Sequence, residues 1–371
     1  MKKTARILFV LLVFLSTLSF IQLLGNAPWR SGGEAEAKLT QDNRVQAEND
    51  RELDEDDPQI KAAMIIHKRH SRELMRIPEV VGTATGLSDE GAPAVLVFAK
   101  KSVPPGIIAE RLEGLPVVVK ITGEISPMRR SRRPRNPPPS ANPNTAVFPL
   151  PVPIGVSTGN VNECSAGTIA ARVKDASGNV YALSNNHVYA LENRAPIGSE
   201  VLQPGRVDTR CALLGNNVIG ALSRFVPINF TGGPNTVDAA VALSSTSLLG
   251  NATPPGGYGI PDSATISAAL GQPVQKYGRS TSLTHGAITG LNATVTVNYG
   301  TSGNATFVNQ IIVSSSRGFI QAGDSGSLLV TDDPDANPVG LLFAGNSSGT
   351  LAIANPIGDV LSGLGVTIDG K

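Results

Sequence analysis

Past residue 154 the chain is a succession of short apolar runs, each closed by glycine, proline, asparagine or aspartate, and this punctuation excludes most folds. Val180 to Ser184, Val218 to Leu222, Asp238 to Leu243, Thr294 to Val297, Ile311 to Val313, Ser327 to Val330 and Val339 to Phe343 have strand length and turn residues at their ends. Only Ile357 to Leu364 carries a helical period that rivals them. The 39 glycines and 27 prolines, with charged residues held to 16%, suit an all-β, turn-rich body.

One turn stands out chemically: Gln321-Ala322-Gly323-Asp324-Ser325-Gly326-Ser327. A serine flanked by glycines suits a nucleophile whose hydroxyl must be exposed and whose neighbouring N–H groups must point at one oxyanion. The same residues also make an ordinary hairpin turn. What separates the two readings is a base and a carboxylate elsewhere in the chain. Of the four histidines, His67, His70, His187 and His285, the third stands where an apolar run gives way to Ser184-Asn185-Asn186. Asp238 is a lone charge opening another apolar run, and Asp208, in a loop-like stretch after Pro204-Gly205, is its nearest rival. The order His187, Asp238, Ser325 differs from that of both subtilisin and the α/β-hydrolases.

In that order the chain resembles the chymotrypsin-like (trypsin-like) serine proteases. Gly278-Arg279-Ser280-Thr281-Ser282-Leu283-Thr284-His285-Gly286-Ala287-Ile288 is similar to the strand pair opening the second barrel of the bacterial secreted branch, the streptogrisin and α-lytic-like enzymes. Gly340-Leu341-Leu342-Phe343-Ala344-Gly345 looks like one wall of their primary specificity pocket. The resemblance runs from about Gly155 to the C-terminus. It implies two six-stranded antiparallel β-barrels with the site in the crevice between them. His187 would act as base, Asp238 as its orienting carboxylate, Ser325 as nucleophile, and the N–H groups of Gly323 and Ser325 as oxyanion donors. The pocket would involve Phe319, Phe343, Ala344 and Gly345. Phe319 stands where trypsin carries its pocket aspartate, so cleavage after small or apolar residues is expected. A Cys164–Cys211 disulfide would tie the loop around His187, as in many family members.

Some positions depart from the family. Ser327 replaces the usual glycine after Ser-Gly, and His285 and Gln275 fall where bacterial relatives carry a bridging cysteine pair. Trypsin relatives pair the aspartate before the nucleophile with a freed Ile-Val-Gly-Gly terminus. Here only Pro153-Ile154-Gly155-Val156 is on offer, so Asp324 is expected to find another partner.

The rest of the chain reads as five segments. Residues 1–27 carry Lys2, Lys3 and Arg6 ahead of an apolar run, a signal peptide or a retained membrane anchor that exports the body. Residues 28–58 form a polar, acidic spacer expected to be disordered. Residues 59–126 read as a small α/β accessory or pro-like domain: a helix from Ile60 to Arg76, a hairpin of Val80–Leu87 and Ala94–Phe98, a short helix from Ile107 to Leu112, and a strand from Val117 to Ile121. His67 and His70 read as part of a solvated basic face rather than as metal ligands. Residues 127–153 hold Arg129-Arg130-Ser131-Arg132-Arg133 and a proline run, an extended linker that is either a processing site or a basic tether at an anionic surface. Residues 154–371 are the protease-like domain.

The function expected from these readings is an exported serine endopeptidase acting on peptide or protein substrates, with no metal and no organic cofactor. A catalytically silent protease-fold scaffold that binds peptides or partners is the alternative from another class, and an esterase using the same site is a third. The net charge of +1 gives no reason to expect nucleic acid as a partner.

Overall fold

Two neighbouring strands of the first barrel fill two cores at once. Along Val180–Ser184, Ala182 joins an interior cluster with Val156, Ile169, Val201 and Leu222, while Tyr181 and Leu183 pack with Val330, Leu341 and Val360 on the opposite face. Ala240–Leu243 repeats the alternation, Ala240 and Ala242 inward and Val241 outward. The period of two puts small residues in the narrow interior and larger ones where the barrel meets its neighbour. The computed structural model describes residues 53–131 and 142–371. The N-terminal apolar segment, most of the acidic spacer and the proline run of the linker lie outside the described residues.

The first barrel comprises Ser157–Asn160, Ser165–Thr168, Ala171–Lys174, Val180–Ser184, Glu200–Leu202, Val218–Phe225 and Ala240–Leu243, paired antiparallel. Ser165–Thr168 and Ala171–Lys174 are the two halves of one strand bent at Ile169-Ala170. Its first half pairs with Ser157–Asn160 and its second with Val180–Ser184, so one bent strand closes a six-stranded barrel. The second barrel is a ring of six: Pro273–Gly278, Leu328–Thr331, Pro338–Asn346, Leu351–Pro356, Asn304–Ser314 and Ser282–Asn298, the last pairing back to the first. A helix, Ile357–Leu364, packs its Ile357, Val360 and Leu364 into the core shared by both barrels.

The stretches Ala287-Ile288 and Thr294–Val297, expected as separate strands, belong to one strand of 17 residues, Ser282–Asn298. Gly290 and Asn292 sit where its register with Asn304–Ser314 slips. Bulges use the residues that turns use.

The outer length of that strand carries the N-terminal region. Val80–Leu87 pairs antiparallel with it, Gly82 opposite Val295, and Pro93–Ala99 and Leu115–Ile121 follow in the same sheet. Val81, Ala84, Leu96 and Phe98 share a core with Val295, Val297, Phe307 and Phe343, while Val95 and Val97 turn to Leu74 of the helix Pro58–Leu74. The expected hairpin is present. The helix expected over Ile107–Leu112 is not: Arg111–Leu112 pairs with Leu115-Pro116 around Glu113-Gly114, both at positive φ. His67 departs from its expected solvated face as well. It is buried, with Nε2 2.9 Å from Thr83 Oγ1, and burial lowers its pKa to about 4.

The ends of the described spacer and linker are folded rather than solvated. Leu53 bridges to Leu270, and Asp57 caps the helix by accepting the N–H groups of Gln59 and Ile60. Ile125–Pro127 pairs with Ala344–Asn346, and Arg130–Ser131 with Ser165-Ala166. Beyond the proline run, Asn144 is buried and donates to Gly278 O, and Val152 bridges to Leu249.

Candidate active site

His187 sits in a one-turn helix, Asn186–Tyr189, directly after the strand Val180–Ser184. Its orientation is set by polar neighbours on the next strand. Asn185 donates to Asp238 O, the His187 backbone N–H donates to Asp238 Oδ1 at 3.1 Å, and the imidazole Nδ1 lies 2.5 Å from Asp238 Oδ2. A carboxylate accepts, so Nδ1 carries the proton and Nε2 is left as the acceptor. Nε2 is buried and has no hydrogen-bond partner among the described residues.

Asp238 is fully buried and takes a further hydrogen bond from Tyr299 Oη at 2.7 Å. Burial and the adjacent carboxylates of Asp238 and Glu192 hold the Tyr299 phenol protonated well above its usual range. Nothing in the sequence singled out Tyr299, which follows the long strand and stands 61 residues from its partner. Asp208, the rival carboxylate, belongs elsewhere: it accepts from Ser157 Oγ and is clasped by the Arg279 guanidinium, joining the two barrels.

Ser325 lies in the loop between Asn304–Ser314 and Leu328–Thr331 of the second barrel, with Gly323 at φ 109° and Gly326 at φ 91°, a region that favours glycine. The turn is fastened from below. Asp324 accepts the N–H groups of Gln321, Ser280 and Thr281 and the Thr281 hydroxyl, and buried Lys276 Nζ lies 3.7 Å away. This is the partner that the sequence required without naming. Burial lowers the Lys276 pKa, with the Asp324 charge opposing that shift.

Gly323 and Ser325, the expected oxyanion donors, both direct their N–H groups at one atom, the carbonyl oxygen of Met128, at 2.5 and 3.2 Å. The Ser325 hydroxyl donates to Phe343 O at 2.9 Å, the carbonyl that also accepts Met128 N at 3.1 Å. His187 is reached by the next residue: Arg129 Nη1 donates to His187 O at 2.8 Å. The structure thus pairs His187 with Asp238, and sets Gly323 and Ser325 around one peptide unit of the chain itself, whose Arg129 side chain reaches the His187 carbonyl.

The expected pocket residues divide. Phe319 and Ile320 lie in the cluster that holds the Met128 side chain, and a Cβ on Gly345 would stand 3.1 Å from Met128 Cε. Ile320 was not foreseen. Phe343 contributes its carbonyl, but its ring packs 4.8 Å from the Phe307 ring in the core shared with the N-terminal strands. Ala344 contributes backbone pairing to Pro127. Cys164 and Cys211 form a disulfide with Cα atoms 5.2 Å apart. His285, by contrast, is exposed and pairs with Asp332. No cluster that could hold a metal occurs among the described residues.

Comparison with known proteins gives three findings. The sequence profile of the Nal1 C-terminal domain matches residues 257–359. None of the curated proteins matches the sequence. Among solved structures, the chain is similar to a glutamic-acid-specific serine protease (22% identity, TM-score 0.43, 58% of this chain and 100% of that one). It is likewise similar to Thermobifida fusca protease A (18%, 0.40, 56% and 92%) and Cellulomonas bogoriensis chymotrypsin (19%, 0.41, 59% and 99%).

Proposed function

We propose that the chain is an exported serine endopeptidase working through an acyl-enzyme. The observation that carries this reading is the convergence of two backbone N–H groups on a single peptide carbonyl, Met128 O, beside Ser325 and the His187–Asp238 pair. Ser325 attacks a substrate carbonyl held in this position, and His187 Nε2 takes its proton and returns it to the leaving amine. Asp238 fixes the tautomer and stabilises the imidazolium; the N–H groups of Gly323 and Ser325 stabilise the oxyanion, each worth about 3 kcal/mol of barrier. Apolar Phe319 and Ile320 and the absence of a side chain at Gly345 favour an unbranched apolar residue before the scissile bond. The Cys164–Cys211 disulfide supports an oxidising compartment outside the cytoplasm.

One observation favours the silent-scaffold reading: Ser325 Oγ donates to Phe343 O, and His187 Nε2 has no partner. Rotation about the Ser325 side chain breaks only that one hydrogen bond. A fluorophosphonate probe separates the readings. The full exported chain labels at Ser325, and the label vanishes in Ser325→Ala and His187→Ala; a folded protein that never labels, even when Met128→Asp clears its own segment from the site, would belong to the scaffold class.

A further inference from the structure

The segment crossing the site is held on both sides of one peptide bond. Upstream, Ile125–Pro127 runs antiparallel to Ala344–Asn346, Met128 N donates to Phe343 O, and the Met128 side chain is 7% exposed against Phe319 and Ile320. Downstream, the Arg129 guanidinium joins Arg194 at two carboxylates: Nη1 lies 2.7 Å from Glu163 Oε2, and Nη2 donates to Glu192 Oε1 at 3.0 Å, while Arg194 Nη2 lies 3.6 and 3.3 Å from their other oxygens. Glu192 is buried and takes a further hydrogen bond from Ser302 Oγ. Arg130–Ser131 then continues as a strand antiparallel to Ser165-Ala166. An extended peptide paired before and after the nucleophile, with its carbonyl between two convergent donors and a fitted recess for each flanking side chain, has the geometry of a substrate.

We propose that the Met128–Arg129 bond is the first substrate of this site, and that the chain cuts itself there in cis. The inference rests on the endopeptidase reading. Ser325 Oγ forms an ester with the Met128 carbonyl carbon as the bond to Arg129 N breaks; the Ser325 proton passes through His187 Nε2 to the departing amine. One water then hydrolyses the ester, giving a Met128 carboxylate and restoring the serine. The fragment ending at Met128 does not leave, because Val80–Leu87 stays paired with Ser282–Asn298. Its new carboxylate lies at Gly323 N and Ser325 N, as a bound product. The same recesses define the substrate class in trans: an unbranched apolar residue, Met above all, followed by Arg.

The test uses the full chain, exported into an oxidising compartment, as wild type and as Ser325→Ala, read by intact mass and N-terminal sequencing. Wild type is expected as two fragments that copurify, separate only in denaturant and meet at Met128 and Arg129. Ser325→Ala stays whole, even when mixed with wild type. Arg129→Glu, which places a third carboxylate beside Glu163 and Glu192, slows the cut by roughly thirtyfold or more. The inference is overturned if wild type stays whole, is cut at another bond, or if Ser325→Ala is cut equally. Fluorophosphonate labelling of wild type, of Met128→Asp, which expels the segment from its apolar recess, and of Arg129→Glu separates the two claims. Label at Ser325 in an uncut wild type, or in a variant when wild type is neither cut nor labelled, removes only the self-cleavage. No label in any of the three removes the endopeptidase reading with it.

Discussion

On the proposed reading, Tyr299 governs the base from a distance of two hydrogen bonds. Its hydroxyl donates to the same Asp238 oxygen that holds His187 Nδ1, and because the phenol stays protonated well above its usual range it is a donor at every working pH. Hydrogen bonds to charged groups contribute about 1.5–3 kcal/mol, so Tyr299→Phe should lower kcat on a peptide substrate about ten- to hundredfold while leaving KM nearly unchanged. A loss confined to KM would show that Tyr299 serves only packing. Gly323 offers a sharper test. At φ 109°, with Ser280 Oγ and Arg279 Nη1 crowding the place of a Cβ, Gly323→Ala must move the N–H that it donates. Labelling of Ser325 should slow about a hundredfold or more, and thermal stability should fall by the roughly 1–3 kcal/mol that such backbone strain costs while the protein still folds. His187, Asp238 and Ser325 could be singled out in the sequence because each has a local signature and their order is informative, and the structure pairs the first two. Tyr299, Ile320 and Glu192 were not, because their roles arise from pairings between distant segments that no local pattern records.

At the scale of elements, the helix Pro58–Leu74 is tied to the sheet beneath it by a polar contact in an apolar seam. His67 meets Thr83 and Thr85 there, and Ser71 Oγ lies 2.8 Å from Thr83 Oγ1. With a folded pKa of about 4 against the ordinary 6.5, neutral His67 favours the folded state. That contribution, about 3 kcal/mol, is present above pH 6.5 and is lost as the pH falls through about 4. Urea unfolding of wild type should therefore weaken steeply across that window, and His67→Gln should flatten the dependence; an unchanged slope would place the titration elsewhere. Nothing local warned of this, since Lys68, Arg69 and Arg72 suggested a wet face, and burial at one position of a helix depends on what covers it. The long strand Ser282–Asn298 was obscured for a related reason. Gly290 and Asn292 are permissive residues, and whether permissiveness makes a turn or a bulge is decided by the neighbouring strand.

The whole molecule is built around that strand. It closes the second barrel along one part of its length and carries the N-terminal strands along another, so residues 53–131 complete the apolar cluster of Val295, Val297 and Phe307. Residues 142–371 expressed alone should expose this edge and aggregate or bind an apolar dye, and coexpression with residues 53–131 as a separate chain should restore a soluble complex. A soluble, dye-silent 142–371 would show the second barrel to be self-sufficient. The anchoring also sets the terms on which any outside peptide gains entry. If Ser325 is the nucleophile proposed here, a tail tethered within a few residues of it competes at an effective concentration of about a millimolar, whatever the amount of protein. A peptide present at about a micromolar must then bind roughly a thousandfold more tightly than the tail to share the cleft equally. On that reading the cleft responds to how well a peptide fits more than to how much of it is present, and passing sequences with weak complementarity should go uncut.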